Sequence, residues 1–146
     1  MTLTDDARER DAAIPDLDWR VFPAGTVRDQ FDAPSGKLAR VSLGSGARGR
    51  VVLFPGVTGS KEDFTLMLPL LAEAGYRVEA YDLAGQYESR DAGPENLDPP
   101  RTRYDYPLFI EDLTAVLENG ASAHVLGYSF AGLVSQLIVA ERPELF

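Results

Sequence analysis

Gly127-Tyr128-Ser129-Phe130-Ala131-Gly132 sets one serine between small residues at a spacing of two on either side. Ahead of it, Ala123-His124-Val125-Leu126-Gly127 reads as a core strand. Behind it, Phe130 to Arg142 reads as a helix, apolar on nearly every side and stopped at Pro143. A sharp strand-to-helix turn forces the serine into a strained backbone and projects its hydroxyl at the C-terminal edge of a sheet, provided that Gly127 and Ala131 allow the backbones to approach closely. Such a serine is a nucleophile for acyl transfer.

The chemistry also needs donors for a developing oxyanion. The Phe130 N–H opens a helix and has no intrahelical acceptor, and the helix dipole favours negative charge there. A second donor is expected from Pro55-Gly56-Val57-Thr58-Gly59-Ser60, where the glycines let the Val57 N–H turn inward. Catalytic Ser129, oxyanion donors Val57 and Phe130, and the small residues Gly56, Gly127 and Ala131 form the candidate site. No cofactor and no metal is called for.

The preceding elements must position these groups. Arg50 to Phe54, closed by Pro55-Gly56, is a continuous apolar run suited to a strand buried on both faces. Glu62 to Ala74 places Phe64, Met67, Leu68 and Leu71 on one helical face, with a kink predicted at Pro69. Tyr76 to Asp82 alternates as a strand, and Leu83 to Arg103 is a polar connection. A second helix begins near Asp105, carries Ile110, Leu113 and Leu117 on one face, and ends at Asn119-Gly120. Trp19–Phe22 and Lys37–Leu43 are expected as early strands. The alternation from Arg50 onward predicts an α/β fold with a mostly parallel sheet, helices on both faces, and Val51–Phe54 between the Tyr76 and Ala123 strands.

Three stretches resemble the α/β-hydrolase family, over about Arg50 to Phe146. They are Val51 to Ser60, then Tyr81-Asp82-Leu83-Ala84-Gly85-Gln86-Tyr87-Glu88-Ser89, and His124 to Gly132 with Glu141-Arg142-Pro143. The resemblance implies the family's third strand with its oxyanion loop, the turn after its fourth strand, and its nucleophile elbow. Pro55 stands where many members have histidine, and Ala131 where glycine is commoner. A serine at the elbow departs from the haloalkane dehalogenase and epoxide hydrolase branches, which use aspartate, and so implies ester, thioester, amide or lactone chemistry.

In that fold an acid and a histidine follow the serine, yet only Glu141 and Glu144 follow Ser129 as acids and no histidine does. The single histidine, His124, is five residues upstream, roughly 15 Å along a strand, and reads as a packed core residue without a catalytic role. Residues 17–146 are therefore expected to be the N-terminal half of a hydrolase domain, behind a flexible acidic tail at 1–16. The chain looks cut after the elbow helix. An open sheet edge would then invite self-association or pairing with a complementary chain. Two other readings remain open: a non-catalytic binding module on the same scaffold, and an acyltransferase using the same serine.

Composition narrows the rest. Fourteen basic against 23 acidic residues give a charge of -9, without the basic stripe that nucleic acid requires. No cysteine is present, which excludes disulfides, zinc-thiolate sites and a thiol nucleophile. No N-terminal apolar segment and no membrane-length run occurs, so a cytoplasmic location with a small acyl substrate is the expectation.

Overall fold

The computed structural model describes residues 3–146. A helix α1 (Leu3–Ala12) and an irregular stretch lead into a hairpin of β1 (Val27–Ala33) and β2 (Gly36–Leu43). There follow β3 (Arg50–Phe54), α2 (Met67–Glu73), β4 (Arg77–Tyr81), α3 (Tyr106–Glu118), β5 (Ala123–Gly127) and α4 (Phe130–Glu141). The five strands form one mixed sheet in the order β1-β2-β4-β3-β5. β3 is parallel to both neighbours, with Val51 opposite Val78 and His124, while β2 runs antiparallel to β4 and β1. This is the expected core order.

The burial of β3 explains its place, because all five of its residues are buried. Val51 and Leu53 point into one core with Phe64, Leu68, Val78 and Ala80. Val52 and Phe54 point into the other, against Tyr81, Leu113, Val116, Val134 and Ile138. Period-two alternation thus feeds both faces, which α2 covers on one side and α3 with α4 on the other. Asp105 caps α3 by accepting the Leu108 N–H at 3.1 Å. At the far end, Arg50 donates to the Val116 and Leu117 carbonyls and pairs with buried Glu79 at 3.0 Å, so α3 is stopped by a charge from the central strand.

Several expectations are corrected. Trp19–Phe22 is not a strand. The first strand is β1, whose Val-Arg-Asp-Gln-Phe-Asp-Ala sequence packs only Phe31 and Ala33 against the core and leaves its other residues exposed at the sheet edge. The stretch from Glu62 to Ala74 is not one kinked helix. It is a 3-10 turn at Lys61–Phe64 followed by α2, and Pro69 falls in the first turn of α2, where its missing N–H costs nothing. Nor is α4 buried all round: Ala131, Val134 and Ile138 are buried, whereas Leu133 and Leu137 are 44% and 42% exposed. Beside them, the outer edge of β5 has no strand partner among the described residues. His124 is likewise exposed, with its ring edge-on to Tyr76 at 5.6 Å.

Candidate functional site

Ser129 immediately precedes α4 with φ 51 and ψ -116, a conformation that costs a non-glycine residue about 1–3 kcal/mol. The local packing enforces it. A side chain at Gly127 would put its Cβ 2.5 Å from the Ala131 carbonyl oxygen, so strand and helix meet backbone to backbone. The Tyr128 N–H donates to the Phe54 carbonyl at 3.0 Å, and Ala131 is fully buried, so nothing larger fits beneath the turn. The Ser129 side is left exposed.

The loop after β3 lies against this turn. A Cβ on Gly56 would sit 3.2 Å from the Ser129 Cβ and 3.1 Å from the Tyr128 ring. The Gly59 N–H donates to the Gly56 carbonyl at 3.0 Å, closing a tight turn with Val57 and Thr58 at its centre. Thr58 has φ 68, the left-handed position that such a turn normally gives to glycine or asparagine. Its N–H donates to Gln86 Oε1 at 2.8 Å, and this bond holds the strained residue from across the cleft. Among the described residues only Thr58, Tyr87 and Ser129 are non-glycines with positive φ; Thr58 and Tyr87 line one cleft together with Phe130, the residue after Ser129.

A cleft of about 730 Å³ opens between these loops, lined by Val57, Thr58, Gly85, Gln86, Tyr87 and Phe130, among others. Its wall rests on a buried ion cluster. Lys61, 1% exposed, donates to Asp82 at 2.9 Å, to Glu62 at 3.0 Å and to Glu88, and its ammonium lies 5.0 Å from the centre of the Tyr87 ring. Burial pulls the Lys61 pKa down, but bonds from Glu88, Asp82 and Glu62 outweigh it and hold the pKa above its ordinary value. Burial pushes the Asp82 carboxyl up despite that pairing, and the Lys61 bond pulls Glu88 down. Glu62 Oε2 is buried without a hydrogen bond.

The residues expected at the site are thus brought together on one side of the sheet: Ser129, Phe130, Val57, Gly56, Gly127 and Ala131. His124 is not among them. Its Tyr76 neighbour precedes β4, so the ring stands at the N-terminal end of the parallel strands, opposite the Ser129 turn. Sequence reasoning missed Gln86, the Lys61 cluster and the aromatic wall, because the contacts that define them join distant parts of the chain: Gln86 to Thr58, Lys61 to Asp82, and Trp19 to Tyr87. Among the described residues no cluster of His, Asp or Glu is arranged to hold a metal ion, and no helix is long and apolar enough to cross a membrane.

The α/β-hydrolase fold model matches residues 49–146, two-thirds of the chain. This chain belongs to the α/β-hydrolase fold family. Solved members superpose closely. An epoxide hydrolase from an endophytic Streptomyces matches with a TM-score of 0.69 at 26% identity, over 85% of this chain and 36% of its own. Potato (Solanum tuberosum) epoxide hydrolase I matches with a TM-score of 0.69 at 20% identity, over 82% and 37%. The thioesterase domain from the curacin biosynthetic pathway matches with a TM-score of 0.68 at 19% identity, over 84% and 44%. The α/β-hydrolase chain described here therefore spans less than half the length of each of these three structures.

Proposed function

We propose that this chain carries the nucleophile side of a serine hydrolase site, with Ser129 as the nucleophile. The observation that supports it is the strained, exposed Ser129 turn, packed against the Gly56 loop and followed at once by Phe130, which lines the cleft. In this reading Ser129 Oγ attacks the carbonyl carbon of an ester, thioester, amide or lactone. The negative charge that forms on the carbonyl oxygen is met by the Val57 and Phe130 N–H groups. Collapse expels the alcohol, thiol or amine and leaves the acyl group on Ser129 for water to remove. Residue type favours carbonyl substrates over epoxides. A carboxylate that opens an epoxide leaves an ester that water can cleave, whereas a serine would leave an inert ether.

The proton of Ser129 needs a base, and His124 stands at the wrong end of the sheet. The acid and histidine of a complete site are assigned to residues other than those of this chain. They would be brought by whatever packs on the open β5 edge and on Leu133 and Leu137 of α4. An added small base tests this directly. A fluorophosphonate should label the chain slowly, labelling should rise with imidazole concentration, and Ser129→Ala should abolish it. Fast labelling without imidazole would reveal a base within the chain. Labelling that survives Ser129→Ala, or none at any imidazole concentration, would end the nucleophile reading.

A further inference from the structure

The residues around the cleft hold more aromatic surface than a nucleophile requires. Trp19, the single tryptophan, comes from the irregular segment ahead of the hairpin and meets Tyr87 with ring centres 6.2 Å apart. Its carbonyl lies 3.4 Å from the Thr65 hydroxyl, whose shorter bond of 2.7 Å is to the Glu62 carbonyl, so the segment runs beside the loop before α2. A second group of rings runs through the other lining residues. Tyr104 lies 6.3 Å from Phe109, and Phe109 meets Phe130 edge-on at 5.0 Å. Gly85 lets the turn after β4 approach the Tyr104 ring, since a Cβ there would fall 2.7 Å from it, and the Tyr104 hydroxyl donates to the Ala92 carbonyl at 3.2 Å. Five rings therefore border one cleft, three of them about half exposed: Trp19, Tyr87 and Tyr104.

The charge pattern is as selective as the rings. None of the described residues lining the cleft carries a charge. Of the nearby cations, Lys61 is held by its three carboxylates, Arg28 pairs with Glu88 at 3.2 Å and Arg20 with Asp18 at 2.9 Å, while the exposed Arg90 and Arg103 stand outside the lining. A charged group seated among the rings, away from the oxyanion pair, would lose water and meet no charged side chain in the lining. A neutral flat ring would lose only apolar hydration and gain offset or edge-on contacts with the wall. At about 730 Å³ the cleft is far larger than one ring and falls within the roughly 300–1,000 Å³ of sites that take whole small molecules.

We propose that this cleft selects substrates with a neutral aryl group, held between the Trp19–Tyr87 pair and the Tyr104–Phe109–Phe130 rings. The proposal rests on the reading of Ser129 as the nucleophile, because Val57 and Phe130 belong both to the cleft lining and to the oxyanion pair. Trp19 both forms the wall and reports on it. Binding is read from its fluorescence, excited where phenyl rings do not absorb, and confirmed by titration calorimetry with Ser129→Ala protein so that no chemistry intervenes.

Three probes share one skeleton: 4-phenylbutanamide, the same amide with a carboxylate on the far end of its ring, and 4-cyclohexylbutanamide. The neutral aryl amide should shift Trp19 emission saturably. The ring carboxylate should bind at least about tenfold more weakly, because no charged side chain lines the ring site. The cyclohexyl amide should bind roughly three- to tenfold more weakly, the worth of one aromatic pair. Tyr104→Ala should weaken the aryl amide by a similar factor, whereas Leu70→Ser on the exposed face of α2 should leave it unchanged. Equal binding of the ring carboxylate and the unsubstituted phenyl amide, equal binding of cyclohexyl and phenyl, or no saturable signal from any probe would overturn the proposal. Failure of imidazole-dependent labelling alongside aryl-selective binding would instead remove the nucleophile and keep the aryl site.

Discussion

Replacing Lys61 with methionine removes one ammonium from among three carboxylates while keeping the length of the stem. Asp82 is fully buried and Glu62 nearly so, and both depend on Lys61, whereas Glu88 also has Arg28. Breaking a buried pair and leaving its partner charged costs about 3–5 kcal/mol. For a domain of 5–15 kcal/mol that is a large part of the total. At roughly 2 kcal/mol per molar of urea, the unfolding midpoint should fall by about 2 M, read by circular dichroism at neutral pH. Glu62→Gln provides the contrast. It still accepts from Lys61 and removes charge from a group with an unbonded oxygen, so its midpoint should stay within about 0.5 M of wild type.

The difference between Lys61→Met and wild type should depend on pH in a defined sense. The Lys61 pKa is raised above 10.5, so its stabilisation is complete below that value and is lost as pH rises through the folded-state pKa. Tyr81, pushed up to about 12 by burial, adds to the same alkaline loss in both proteins. The gap should therefore narrow above about pH 10.5, and also in acid, where the stranded carboxylates of the variant take up protons. A Lys61→Met midpoint within about 0.5 M of wild type at neutral pH would refute the reasoning. So would a Glu62→Gln loss as large as that of Lys61→Met.

Two further outcomes follow from the packing. Gly127→Ala forces a Cβ to within 2.5 Å of the Ala131 carbonyl and should cost about 2–3 kcal/mol in urea unfolding, with loss of imidazole-dependent Ser129 labelling; retention of both would show that the turn can open. The open β5 edge and the exposed side of α4 should make the chain associate as its concentration rises, and Leu133→Glu with Leu137→Glu should shift light-scattering mass toward the monomer. Unchanged mass in the double variant would place the association elsewhere.

Much of the fold was legible along the chain. The apolar run at Arg50–Phe54, the cap at Asp105 and the small residues around Ser129 each act through near neighbours, so residue type and spacing were enough to locate β3, α3 and the serine turn. The same local logic placed β3 between its two parallel partners, because helix-length connections leave few ways to join parallel strands. Only the tertiary structure could decide what an element meets after the chain folds back. The apolar signal of β1 is weak, with Asp29 between Val27 and Phe31 on the inner face, because a sheet edge buries only Phe31 and Ala33 in part. The apolar face of α4 reads as buried but stands partly open, because hydrophobicity records what a helix can cover and not whether a partner is present. Trp19 reads as a strand residue and serves as a cleft wall. Gln86 holds Thr58 and Lys61 gathers Asp82 across 28 and 21 residues of chain, and their energies arise from charges and donors brought within 3 Å by folding, which no spacing in the sequence encodes.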